Sequence, residues 1–148
     1  MNKNYQFYIA GRARNKENIL NICNTFEELD ISYYCFLKNE ASHKKAGLNL
    51  NDADLAETFE SMRLGDPRIR ILFETDLEGE RYSDNFLLVL PAGKSAHIEA
   101  GIAYGLGKKC YAIGEYDVTD SLYLIFDKIF KDENELRAFL ISNKNEIN

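Results

Sequence analysis

The sequence predicts an α/β domain, a parallel sheet of about five strands with helices on both faces. Three observations carry this. Strand-like and helix-periodic segments alternate along the chain. Phe86–Leu90 (Phe-Leu-Leu-Val-Leu) is apolar on both faces, as the central strand of a parallel sheet must be. The 148 residues suit one hydrophobic core and contain no internal repeat or low-complexity tract, so residues 1–148 read as a single domain.

Tyr5–Ala10 is a short β-rich run ending at Gly11, and it reads as the first strand. Asn15 then stands where a helix cap belongs, ahead of Ile19, Ile22, Cys23, Phe26 and Leu29 at helical spacing. Ile31–Leu37 is rich in β-branched and aromatic residues and reads as the second strand. Lys38–Asn51 is polar and reads as a loop long enough to be functional or mobile. Asp52 can cap a short helix through Leu55, Phe59 and Met62. Asp66-Pro67 starts the next one, with Pro67 in the first helical position. Residues 69–82 fit both an alternating and a helical pattern, and the Glu and Arg residues favour a helix.

Asp84-Asn85 precedes the central strand Phe86–Leu90. Pro91–Ser95 is a loop, and Ala96–Leu106 is a helix rich in small residues: Ala96, Ala100, Gly101, Ala103 and Gly105. Lys108–Ile113 is another strand. Ser121–Phe130 holds a helical turn and a short last strand, and Asp132 caps a final helix with Leu136, Phe139 and Leu140 on one face. In such sheets ligands bind at the carboxyl ends of the strands, where strand order reverses. Three loops are expected to meet there: Gly11–Arg14, Lys38–Asn51 and Pro91–Ser95.

Composition excludes several classes. Apolar residues make up 45% and charged residues 28%, the balance of an ordinary globular domain. The longest apolar run, Phe86–Leu90, cannot cross a bilayer, and the first residues lack the apolar stretch of a secretory signal. The net charge of -6 argues against a nucleic-acid polymer as partner, while a small anion at a helix N-terminus stays open. Cys23, Cys35 and Cys110 are scattered in apolar segments, and His43 and His97 are the only histidines. That set suits neither disulfides nor a metal site, and it points to a reducing cytoplasm.

The candidate chemistry is carboxylate chemistry. Glu99 lies in a small-residue helix just after the central strand. It reads either as a charge complementing the helix dipole or as an acid facing the cleft. Asp76 falls on or beside the apolar face of its helix, where a carboxylate needs a partner or a task, unless its head reaches water. Tyr8 lies near the carboxyl end of the first strand, either a core residue or a site residue. Asp84 reads as a turn residue or a ligand contact. Gly93-Lys94-Ser95 looks like the end of a P-loop, but the glycine needed five residues earlier is Leu88, which removes an ATPase reading.

Together these segments resemble the nucleoside 2-deoxyribosyltransferase superfamily, which includes the 2'-deoxynucleoside 5'-phosphate N-hydrolases. The resemblance rests on Tyr8-Ile-Ala-Gly11, on Asp76-Leu-Glu-Gly79 with Ser83-Asp84 following, on Pro91, and on Ile98-Glu99-Ala-Gly-Ile-Ala103 before Gly107-Lys108. It implies a flavodoxin-like or Rossmann-like three-layer sandwich. It also implies Glu99 as a nucleophile toward the anomeric carbon, Asp76 as the group handling the leaving base's proton, and Tyr8 as the residue positioning the nucleophile. The acidic residue that transferases usually carry six positions before the nucleophile is here Gly93.

The expected activity is cleavage or transfer at the N-glycosidic bond of a nucleoside or nucleotide, without a cofactor. A silent nucleotide-binding sensor and an NAD-cleaving glycohydrolase are the alternatives. Gly11, Arg12, Arg14, Asp84, Gly93, Lys94 and Ser95 are the expected substrate contacts. The arginines and Lys94 would hold a 5'-phosphate, with solvated surface charge as the other reading. The helix N-terminus is expected to keep Glu99 ionised. Nine Phe and nine Tyr exceed what one small core hides, and with the family resemblance they point to a homodimer or higher homo-oligomer.

Overall fold

Period-two alternation with apolar residues on both faces produces strands that must be covered on two sides, and the chain covers them with helices. The computed structural model describes residues 4–116 and 120–147. The strands are Tyr5–Ala10 (β1), Tyr33–Cys35 (β2), Ser83–Val89 (β3), Lys109–Ile113 (β4) and Phe126–Phe130 (β5). They form one sheet in the order β2-β1-β3-β4-β5, with every pairing parallel. The helices are Lys16–Glu28 (α1), Glu40–Lys45 (α2), Leu55–Ser61 (α3), Pro67–Arg81 (α4), Lys94–Gly105 (α5), Glu133–Ser142 (α6) and Lys144–Ile147 (α7). This is the flavodoxin-like three-layer arrangement, with its switch in strand order between β1 and β3.

Alternate residues of each strand feed two cores. Phe7, Ile9, Leu87, Val89 and Ile113 pack with Ile19, Ile22 and Phe26 of α1 and with Leu136 and Leu140 of α6. Tyr8, Tyr34, Phe86, Leu88 and Ala112 pack with Ala96, Ala100 and Ala103 of α5. These alanines share one stripe of α5, so its backbone comes close to the sheet. Cys23, Cys35 and Cys110 are free thiols buried in these layers. No helix among the described residues is long and apolar enough to cross a membrane.

Local signals set most helix ends. Asp66 accepts a hydrogen bond from the Arg68 N–H and Pro67 opens α4; Asp132 accepts from the Glu135 N–H and opens α6. The helix reading of residues 69–82 holds. Asn15 does occupy the cap position of α1, but its side chain donates to the Leu90 carbonyl at 3.3 Å instead.

Several expectations change. The second strand is confined to Tyr33–Cys35 at the sheet edge, because Phe36–Lys38 turns into a short 3-10 helix. The expected loop Lys38–Asn51 contains α2. Asn39 Oδ1 caps it by accepting from the Ser42 N–H at 3.2 Å, Glu40 sits at its start, and His43, Lys44 and Lys45 sit at its end. Asp54, not Asp52, stands at the cap position of α3; Asp52 accepts from the Asp54 N–H at 3.0 Å. Asp84 and Asn85 belong to β3 rather than preceding it, since β1 continues to pair with them. Helix α5 starts at Lys94 with Gly93 at its cap position.

Candidate active site

Strand β1 places Tyr8 beside Tyr34 of β2 and Phe86 of β3, all on the face that α4 and α5 cover. The Tyr8 ring stacks on Tyr34 at 5.3 Å and 12°, and on Phe86 at 5.7 Å and 11°. Such packing fixes the direction of its hydroxyl. Tyr8 is 1% exposed, and its O–H donates to Oε2 of Glu99, which α5 carries across the sheet.

The second phenol repeats the arrangement. Tyr34 donates its O–H to Oδ1 of Asp76 at 2.8 Å and accepts from Nδ2 of Asn39 at 2.9 Å. Two stacked phenols therefore each hold one carboxyl group, Glu99 from α5 and Asp76 from α4. Among the sequence-derived candidates, these three, Tyr8, Asp76 and Glu99, come together.

Burial governs the charge of the pair. It pushes Glu99 up to about 8, and the Asp76 charge adds to the rise while the Tyr8 hydrogen bond opposes it. Burial raises Asp76 to about 6, against the Tyr34 hydrogen bond. The expectation that the helix N-terminus keeps Glu99 ionised is thus corrected. Glu99 lies in the second turn of α5, where the dipole has faded and desolvation dominates. With Asp76 near 6 and Glu99 near 8, the two acids together hold about one proton at neutral pH, mostly on Glu99.

A third acid joins them. Glu80 lies one turn after Asp76 on α4, is 1% exposed, and its Oε1 has no hydrogen-bond partner. Burial drives it up to about 8, against the pull of Lys108. Sequence reading missed Glu80; its spacing of four residues from Asp76 is the signal that marks it. Tyr34 and Asn39 were missed as well, because Tyr34 bonds to Asp76, 42 residues away in the chain, and Asn39 reaches the site only through Tyr34.

The expected substrate contacts divide by position. Gly11 follows β1 at its carboxyl end, where a Cβ would come within 2.5 Å of Ile19 Cδ1. Arg12 and Arg14 follow it, but both are paired with Glu60 of α3. Arg14 makes two bonds of 2.6 and 2.7 Å, and Arg12 one of 3.4 Å. Gly93, Lys94 and Ser95 form the N-terminal edge of α5, and Lys94 and Ser95 are exposed. The Nδ1–H of His97 donates to the Gly93 carbonyl at 2.8 Å, and its Nε2 accepts from the Tyr123 hydroxyl at 2.9 Å. Asp84 does not join them. It is the second residue of β3, exposed at the amino end of the sheet, while the loops gather at the carboxyl end. Two open surface depressions, around Asp30 and Tyr33 and around His43 and Leu50, lie off the carboxyl cluster.

No protein-family model and no curated protein matches the sequence. The fold is similar to the solved structure of a 2-deoxyribosyltransferase from the psychrotolerant bacterium Bacillus psychrosaccharolyticus, characterised as a biocatalyst for nucleoside synthesis. The superposition covers 88% of this chain and 89% of that chain at 16% identity, with a TM-score of 0.62. At this identity the likeness is one of fold.

Proposed function

We propose that the protein is an enzyme that cleaves or transfers the N-glycosidic bond of a nucleoside or nucleotide, with Glu99 as nucleophile. One observation carries the reading: the buried Tyr8 hydroxyl is bonded to Glu99, with Asp76 beside it, at the sheet's switch point. The fold shared with a deoxyribosyltransferase supports the same substrate class.

The chemistry follows from the two acids. A Glu99 oxygen bonds to C1' as the C1'–N bond breaks, and the bond's electron pair leaves with the base. Asp76 supplies the proton that neutralises the departing nitrogen. A second base or a water molecule then attacks C1', expels Glu99, and returns a proton to Asp76. The reactive form has Glu99 ionised and Asp76 protonated, the less populated arrangement of the shared proton. Substrate shifts the balance by bringing positive charge at C1' over Glu99. Incubation with nucleosides, nucleoside monophosphates and NAD tests the reading. Free base released from deoxynucleosides or their monophosphates supports it. Release from NAD alone would move the substrate class to NAD, and ligand-induced thermal stabilisation without turnover would reduce the protein to a binding module.

Two further expectations belong to this reading. A 5'-phosphate would lie at the N-terminus of α5, near Lys94 and Ser95, with Arg12 reaching from the loop after β1. Arg12 makes the weaker of the two contacts with Glu60, so it is the arginine free to turn toward a ligand. Arg12→Ala should then weaken a nucleoside monophosphate about tenfold more than the free nucleoside in calorimetric titration. Equal losses would remove the phosphate contact. Assembly is the second expectation. Ile98 on α5 is 63% exposed and Phe73 on α4 is 51% exposed, on neighbouring helices. Apolar side chains left this open fit burial in a homo-oligomer. Light scattering at micromolar concentration should give at least a dimer, and a monomer would count against it.

A further inference from the structure

We propose that Tyr34, seated by Gly79 and held by Asn39, is a positioning residue that aims the Asp76 carboxyl at the leaving base. The proposal rests on the catalytic reading above only for its kinetic consequence.

Three contacts on separate elements fix Tyr34. Its ring lies between Tyr8, stacked at 5.3 Å, and Tyr5, edge-on at 5.6 Å. A Cβ at Gly79 would lie 2.8 Å from the ring, so glycine is what lets α4 close onto β2. Gly79 is three residues beyond Asp76, hence on the same side of the helix. Closing α4 at Gly79 brings Asp76 within 2.8 Å of the Tyr34 hydroxyl. Asn39 completes the set from the cap of α2: Nδ2 donates to the Tyr34 oxygen while Oδ1 holds the Ser42 N–H. A phenol that accepts one hydrogen bond donates the next more strongly. The segment after β2 is thereby tied to Asp76 through two hydrogen bonds. The glycine of the Asp76-Leu-Glu-Gly79 run acquires a physical reason as well.

Other groups also bear on Asp76. Tyr8 faces it from β1 and Glu99 from α5. Cys35 stands beside Tyr34 on β2, and Glu80 follows Asp76 on α4 with Lys108 nearby. Of these contacts, the Tyr34 hydrogen bond is the one that stabilises the Asp76 anion.

The test reads Asp76 itself. Carboxyl carbon resonances of isotopically labelled wild type, Tyr34→Phe, Asn39→Ser and Gly79→Ala are titrated, alongside pH profiles of kcat/KM on deoxynucleosides. Phe fills the ring's space, and Ser preserves the α2 cap while falling short of the phenol. Tyr34→Phe should move the Asp76 midpoint upward by about one pH unit, a tenfold change in proton occupancy. Asn39→Ser should move it upward by less, and Gly79→Ala upward by separating α4 from the ring. Turnover by Tyr34→Phe should show a fallen kcat with KM little changed, and the Asp76 limb displaced by the same interval. An unmoved Asp76 midpoint in Tyr34→Phe, even with a lower melting temperature, would leave Tyr34 a packing residue and overturn the proposal. Absence of turnover in wild type would overturn the catalytic reading instead, while the titration still decides the role of Tyr34.

Discussion

Glu99→Ala is expected to lower turnover by ~10²-fold or more while leaving the fold intact, the consequence of losing a covalent catalyst. The fold survives because α5 docks through Ala96, Ala100 and Ala103, and no helix cap depends on Glu99. The deletion leaves the buried Tyr8 hydroxyl without its acceptor, a cost of about 1–3 kcal/mol. It also removes a carboxyl that burial disfavours in its charged form. Glu99→Gln separates the two effects, since the amide oxygen still accepts from Tyr8 but cannot attack C1'. Circular dichroism should show both variants folded. Steady-state assays should find both deeply impaired, and full activity in either would end the proposed mechanism.

The second large effect is on stability. Glu80 and Glu99 are each raised to about 8 and Asp76 to about 6, so the native state holds protons that the unfolded chain releases near pH 4. Stability from these groups is complete below the unfolded values and is lost as pH rises through the folded ones. His43, buried and lowered, acts in the opposite sense, but only below its unfolded value near 6.5. From that point to about pH 8 the acids dominate, before the buried cysteines begin to titrate in the unfolded chain. The denaturation free energy should fall between about pH 6.5 and pH 8, where Glu80 and Glu99 still hold protons in the native state, by about 1.4 kcal/mol per pH unit for each; Asp76 has made its loss by about pH 6. Glu80→Gln should flatten the decline, because Oε1 of Glu80 has no donor to stabilise its charge. Urea melts at several pH values read this directly, and an unchanged slope in Glu80→Gln would mean that Glu80 is already ionised at neutral pH.

Much of this architecture was legible along the chain. The run Phe86–Leu90 announced the central strand, Asp66-Pro67 the start of α4, and Asp132 the start of α6, because each depends on neighbours in sequence. Helix α2 escaped because its six residues show no apolar stripe; Asn39 and the terminal charges define it instead. Asp84 was misplaced because strand ends depend on pairing, and β1 extends β3 back to Ser83. In the site, Tyr8, Asp76 and Glu99 were visible as motif residues. Their protonation was not, since it is set by burial between α4, α5 and the sheet. Tyr34 and Glu80 come into view only when packing brings distant segments together.

The central claim, that Glu99 forms a bond to the anomeric carbon, is tested most directly by trapping. A nucleoside bearing a 2'-fluoro sugar slows the second step more than the first, so the glycosyl-enzyme accumulates. Mass analysis of peptides from the treated protein should place the added sugar on Glu99, and Glu99→Gln should acquire none. A label on another residue, or base release with no adduct at any time, would contradict the covalent route.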